Sequence, residues 1–124
     1  MIHNLHSAYS LPADHDTCHL FEHLIIRRFL KETEKVDGNR AFAGELDGTT
    51  SESSVFFTSA LFTSESNTLF EEIINDITPF EKPLIQQSIS HIEAEMQSNI
   101  DIADMTSLQE QLALCQKYFI DSQK

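Results

Sequence analysis

The chain reads as an α+β protein: a small, mostly antiparallel sheet packed against helices. Three observations predict it. Apolar residues recur at three- and four-residue spacing in several separate stretches, the mark of helices with one buried face. Two further stretches, 40–47 and 54–62, have strand character and flank a polar segment, as the arms of an antiparallel hairpin do. The order along the chain is strand, helix, strand, strand, helix, helix, helix, which groups the helices rather than alternating them with parallel strands. At 124 residues the chain has the length of one domain, taken as 1–124.

Residues 2–11 alternate loosely and predict the first strand. Pro12 to Thr17 form a turn, with Asp16 or Thr17 as N-cap of the helix that follows. That helix spans 18–35, with Leu20, Phe21, Leu24, Ile25, Ile26 and Phe29 as apolar positions; Gly38 is its left-handed cap. The hairpin pairs 40–47 with 54–62 across a longish loop, Gly48 to Ser53. Ser64 and Asn67 open a second helix with Leu69, Phe70, Ile73, Ile74 and Ile77 on its apolar face. Thr78-Pro79 breaks it, because proline drives the preceding residue out of helical geometry. A third helix runs over 80–98 with Pro83 in its first turn, 99–105 is a polar linker, and 106–120 form the last helix. Leu108, Leu112, Cys115 and Phe119 share one stripe of it, and no internal repeat interrupts the pattern.

Charge narrows the function classes. Eight Lys+Arg stand against twenty Asp+Glu, a net charge of −12. A nucleic-acid surface needs clustered cations, and so does an anionic membrane, so neither partner is expected. No apolar run approaches the ~18 residues that span a bilayer. His3, Asn4 and His6 interrupt any leader-like opening. Two cysteines, Cys18 and Cys115, are too few for a disulfide framework. The expectation is a soluble, cytoplasmic domain.

One motif carries chemistry: His19-Leu20-Phe21-Glu22-His23. Histidines four apart on a helix project from one face, one turn from each other, as two nitrogen ligands of a tetrahedral Zn²⁺ do. Glu22 lies between them and flanks the metal, the place of a general base. The competing reading is an acidic helix with surface histidines. Against it, Leu20, Leu24, Ile26 and Phe29 stand around the motif as apolar neighbours. Burying two imidazoles and a carboxyl without a partner costs several kcal/mol, which a metal removes. For a third ligand the helix over 80–98 offers Glu93 and Glu95, which fall near opposite edges of a stripe through Ile85, Ile89, Ile92 and Met96; periodicity does not choose between them. His91 points away from that stripe toward solvent, His15 sits in a solvated turn, and Cys18 is a core thiol.

HLFEHL at 19–24 resembles the metal-binding helix of the M16 metallopeptidases, the pitrilysin and insulinase group. The resemblance covers about residues 3–98, half of one such catalytic domain. It continues through Gly44-Glu-Leu-Asp-Gly-Thr-Thr-Ser51 into the strand at Val55-Phe56-Phe57, with Asp47 and Gly48 where the family has Asn and Ala. It implies zinc held by His19, His23 and a downstream Glu, with Glu22 as base. Among the two candidates it selects Glu93, with Gln86 where the family has a second acidic residue seven positions earlier. The substrate is then a peptide lying as an added strand along 54–62. The family also uses an Arg-Tyr pair from a second homologous region. Here the arginines are Arg27, Arg28 and Arg40 and the tyrosines Tyr9 and Tyr118, and none forms that pair. The resemblance therefore implies a homodimer or a complex with a second M16-like chain, in contact through Val55–Phe62 and the last helix. Two other readings stand beside peptide hydrolysis: a zinc-binding regulatory module with little turnover, and a purely structural metal. Structural sites have four protein ligands, whereas this sequence offers three and a candidate base.

Overall fold

A computed structural model describes residues 2–8, 11–34, 44–61, 64–96 and 105–122. Strand β1 (Ile2–Ala8), helix α1 (His15–Glu34), strands β2 (Gly44–Ser51) and β3 (Ser54–Leu61), and helices α2 (Ser64–Asn75), α3 (Lys82–Met96) and α4 (Met105–Ser122) follow in that order. The α+β class is the one expected. The expected Gly38 cap, residues 40–43 of the second strand, and most of the 99–105 linker lie outside the described residues.

The sheet has three strands in the order β1-β3-β2, both pairings antiparallel. Val55 and Phe57 alternate inward from β3 and are fully buried. Phe57 sits among aromatic rings, 5.4 Å from Phe119 and 6.1 Å from Phe70 between centroids. Phe21, Leu24, Ile25 and Phe29 of α1 complete this core, with Phe21 5.8 Å from Phe119 and Phe29 6.0 Å from Phe70. Helix α4 buries the stripe its spacing predicts, Leu108, Leu112, Cys115 and Phe119, together with Gln116.

The order of the strands corrects two expectations. β3 is paired on both sides, so it has no free edge for a peptide; β2 is the edge strand on the α1 side. Val55, Phe57, Leu108, Leu112 and Phe119 belong to the core and form no contact surface. Among the described residues, the large apolar side chains left outside are Leu30, Ile77, Leu114 and Tyr118. Ile77 lies beyond the end of α2 and is 76% exposed, so it is no part of that helix's apolar face.

Helix α1 starts three residues before the expected position. Asp14 is the N-cap: its Oδ1 accepts from the Thr17 N–H at 2.9 Å, and its carbonyl accepts from Cys18 N at 3.0 Å. The hairpin is also tighter than the polar run 48–53 suggests. β2 continues through Ser51, which pairs with Ser54, leaving Glu52 and Ser53 as a two-residue turn. Glu52 adopts φ 53°, a left-handed conformation that costs an L-residue about 1–2 kcal/mol. Bonds to the segment before α1 hold the turn there. Leu11 N donates to the Ser53 carbonyl at 2.8 Å, and the Ser53 hydroxyl donates to the Ala13 carbonyl at 2.9 Å. His15 Nδ1 donates to the Glu52 carbonyl at 3.3 Å. These ties set the start of α1 against the β2–β3 turn.

Between α2 and α3 the chain is clamped by Arg28. Its guanidinium donates to the carbonyls of Asp76 (3.2 Å) and Thr78 (2.6 Å) and stacks 4.0 Å over the Phe80 ring. Gln116 of α4 donates to the Ile74 carbonyl at 3.0 Å and also to that of Asp76. The carbonyls freed at the end of α2 are thus satisfied by side chains. On α3 the buried line runs through Leu84, Ile85, Ser88 and Ile92, while Ile89 is only partly covered. The buried line is turned by roughly 50° from the stripe its isoleucines predict, which carries Ser88 into the interior.

Candidate metal centre

The early start of α1 makes His15, His19 and His23 successive members of one helical row. Ring centroids step 5.9 Å from His15 to His19 and 4.8 Å from His19 to His23. His19 Nε2 and His23 Nε2 face each other at 3.2 Å. Two nitrogens on one tetrahedral zinc stand about 3.3 Å apart, given Zn–N bonds of about 2.05 Å. In the metal-free chain the same separation suits an N–H···N bond, with one ring protonated at Nε2. The ligand atoms of His19, Glu22 and His23 all lie within 4.8 Å of one another. His19 Nδ1 is buried with no hydrogen-bond partner among the described residues. These features fit a divalent cation.

Glu22 is 5% exposed and fixed from β2. The Thr50 hydroxyl donates to Glu22 Oε1 at 3.0 Å, and Glu22 Oε2 lies 3.9 Å from His23 Nε2. Gly48 makes room for it: a Cβ there would stand 2.7 Å from Glu22 Cγ and 3.0 Å from Ile26 Cδ1. Burial pushes the Glu22 carboxyl up to about 7; the Thr50 bond opposes this, and the charges of Asp47 and Glu95 add to it. A group poised there holds or releases a proton near neutral pH, as a general base must. Burial and the neighbouring His19 bring His23 down to about 4, against the pull of Glu95. Burial and His15 likewise lower His19, opposed by Glu95 and Asp16. Both imidazoles are therefore neutral at pH 7, the form in which a ring nitrogen can ligate a metal.

The rotation of α3 decides which acidic side chain approaches. Glu95 Oε2 lies 3.7 Å from His23 Nε2, and Glu95 Oε1 lies 3.3 Å from His91 Nε2. Glu93, the residue selected by the family resemblance, is not part of the His19-Glu22-His23 group; it sits two residues from His91 and Glu95 and so on another flank of the helix. His91 is half-exposed, yet its ring is 5.5 Å from that of His23, so it borders the site instead of standing apart in solvent. Cys18 is fully buried beside Cys115, its thiol donating to the Ala13 carbonyl at 3.7 Å, and plays no part in the cluster. Sequence reasoning found the three members on α1 and missed Thr50 and Gly48, whose roles depend on how β2 lies against α1.

Comparison with known proteins finds no matching family model, no matching curated protein and no matching solved structure. Fold and site together define an α+β domain with a His-Glu-His group able to hold a metal ion. Among the described residues no helix is long and apolar enough to cross a membrane.

Proposed function

We propose that this chain is a zinc-dependent peptide hydrolase of the pitrilysin and insulinase type, with His19 and His23 as metal ligands and Glu22 as general base. The observation that carries the reading is the buried Glu22, poised near pH 7 beside two convergent neutral imidazoles. Zinc supplies Lewis-acid polarisation of the scissile carbonyl when bound. Glu22 takes the proton of the attacking water at Oε2 while Thr50 holds Oε1. The peptide lies as an added strand along the outer edge of β2, which passes Glu22 at Gly48. Of the two acidic residues on α3, the approach to His23 favours Glu95 as third ligand and the family resemblance favours Glu93. The free thiols of Cys18 and Cys115 suit a reducing, cytoplasmic compartment.

A second chain completes the site in this reading, a second copy or a larger chain of the same type. A second reading, a zinc-binding regulatory module with little turnover, is favoured by one observation. Arg28 is engaged by the Asp76 and Thr78 carbonyls and by Phe80, so it is no oxyanion donor. Zinc content and peptide hydrolysis of the wild type and Glu22→Gln separate these readings. Hydrolysis by the wild type and its loss in the zinc-loaded variant support the peptidase. An inactive wild type with full zinc supports the regulatory module, and a wild type that takes up no zinc overturns both.

A further inference from the structure

A shallow, open groove of about 630 Å³ lies between α1 and α3, lined by Arg27, Pro83, Gln86, Gln87, Ser90 and His91. No carboxylate lines it, although the chain has twenty Asp+Glu against eight Lys+Arg. Arg27 follows His23 by one helical turn and continues the row of His15, His19 and His23. His91 joins the groove to the metal centre, since its ring also faces His23 at 5.5 Å. Unlike Arg28, Arg27 pairs with no carboxylate among the described residues. The amides of Gln86 and Gln87 and the Ser90 hydroxyl can donate hydrogen bonds to an anion, while His91 Nε2 faces the Glu95 carboxylate at 3.3 Å.

We propose that this groove is an anion subsite that receives a carboxylate of the bound peptide, from an acidic side chain or from the C-terminus, next to the metal centre. This rests on the reading of the chain as peptide-binding and deepens it by naming the substrate class. A guanidinium offers a planar fork of donors matched to a carboxylate, so Arg27 gives the groove direction as well as charge. The flanking amides of Gln86 and Gln87 complete the shell without adding a competing negative charge.

Calorimetric titration with three N-acetylated pentapeptides tests it, on both the zinc-loaded and the metal-free chain. One peptide is neutral and amidated, one is amidated with a single internal glutamate, and one is otherwise neutral with a free C-terminal carboxylate. At least one anionic peptide is expected to bind about fivefold to tenfold tighter than the neutral one, as one charge-assisted contact near a surface provides. The anionic peptide that gains identifies the source of the carboxylate. Arg27→Gln should abolish the preference and Arg27→Glu should reverse it, with unchanged thermal melting as the check on folding. Equal binding of all three peptides, no binding of any at millimolar concentration, or a preference that survives Arg27→Gln overturns the subsite. If the chain takes up no zinc while the Arg27-dependent preference persists, the peptidase reading falls and the subsite stands.

Discussion

Glu22→Gln is expected to stabilise the metal-free protein at alkaline pH and to change little at pH 4. The folded chain holds the Glu22 proton up to about 7, against an ordinary value of 4.5, chiefly because the carboxyl is buried. Between those two values the unfolded chain binds fewer protons than the folded one, so stability falls as pH rises through the window. The displacement corresponds to about 3 kcal/mol once pH exceeds the folded value. Glutamine keeps the shape of the side chain and accepts the Thr50 hydroxyl at the same oxygen, yet never ionises. His23 acts in the opposite sense: its value is brought down to about 4 by burial and His19, so its contribution is complete above 6.5 and is lost as pH falls through 4. That dependence is common to wild type and variant and cancels in their difference. Urea unfolding of both proteins with a chelator, from pH 4 to 8.5, measures the difference directly. It should grow from near zero to about 3 kcal/mol in favour of Glu22→Gln, roughly a 10 °C difference in Tm. A difference that stays flat across this range refutes the reasoning, because a buried carboxylate would then carry no ionisation cost.

Zinc should bind in one-to-one stoichiometry and be lost in His19→Ala and His23→Ala; loss in Glu95→Ala but not Glu93→Ala, read by metal analysis after dialysis, assigns the third ligand, and the converse result restores Glu93. Gly48→Ala should destabilise the chain by about 1–3 kcal/mol by driving a methyl group into Glu22, and by clearly less in a Glu22→Ala background, a non-additivity visible in urea unfolding. Arg28→Ala should cost about 2–3 kcal/mol through two lost carbonyl bonds and the Phe80 contact, and Arg28→Lys should recover only part of it. The purified chain should sediment as a dimer at micromolar concentration, or require a second chain for activity; a monomer that hydrolyses peptides efficiently by itself removes that requirement.

Short-range features of this protein were legible in its sequence. The α4 stripe follows from spacing alone, because Leu108, Leu112, Cys115 and Phe119 cannot share any other face. The His19–His23 pair is equally local, since a four-residue step on a helix leaves little freedom. The start of α1 was not legible: Asp14, Asp16 and Thr17 are all capable caps, and the choice of Asp14 accompanies bonds to a turn about forty residues away. The end of β2 was set four residues early, at 47 and not Ser51, because Gly44–Ser51 carries no clear alternation and takes its extent from pairing with β3. The hold on Glu22 comes from Thr50, 28 residues downstream, and depends on that pairing. The third acidic residue depends on the rotation of α3, which brings Ser88 inward in a way hydrophobic periodicity does not reveal.

The central position of β3 gives the first strand a protective duty. Ser54–Leu61 contains no charge and no proline, and two of its eight residues are phenylalanine, a composition that self-associates readily when its backbone is unpaired. β2 shields one flank through the hairpin, and β1 alone shields the other, from Ile2 opposite Leu61 to Ala8 opposite Val55. Trimming the first eight residues would leave the His19-Glu22-His23 group intact on α1 yet turn β3 into a bare edge, open to pairing with the same edge of another molecule. The amino-terminal strand thus acts as a guard against aggregation, and its loss would appear as insolubility before any change at the histidines.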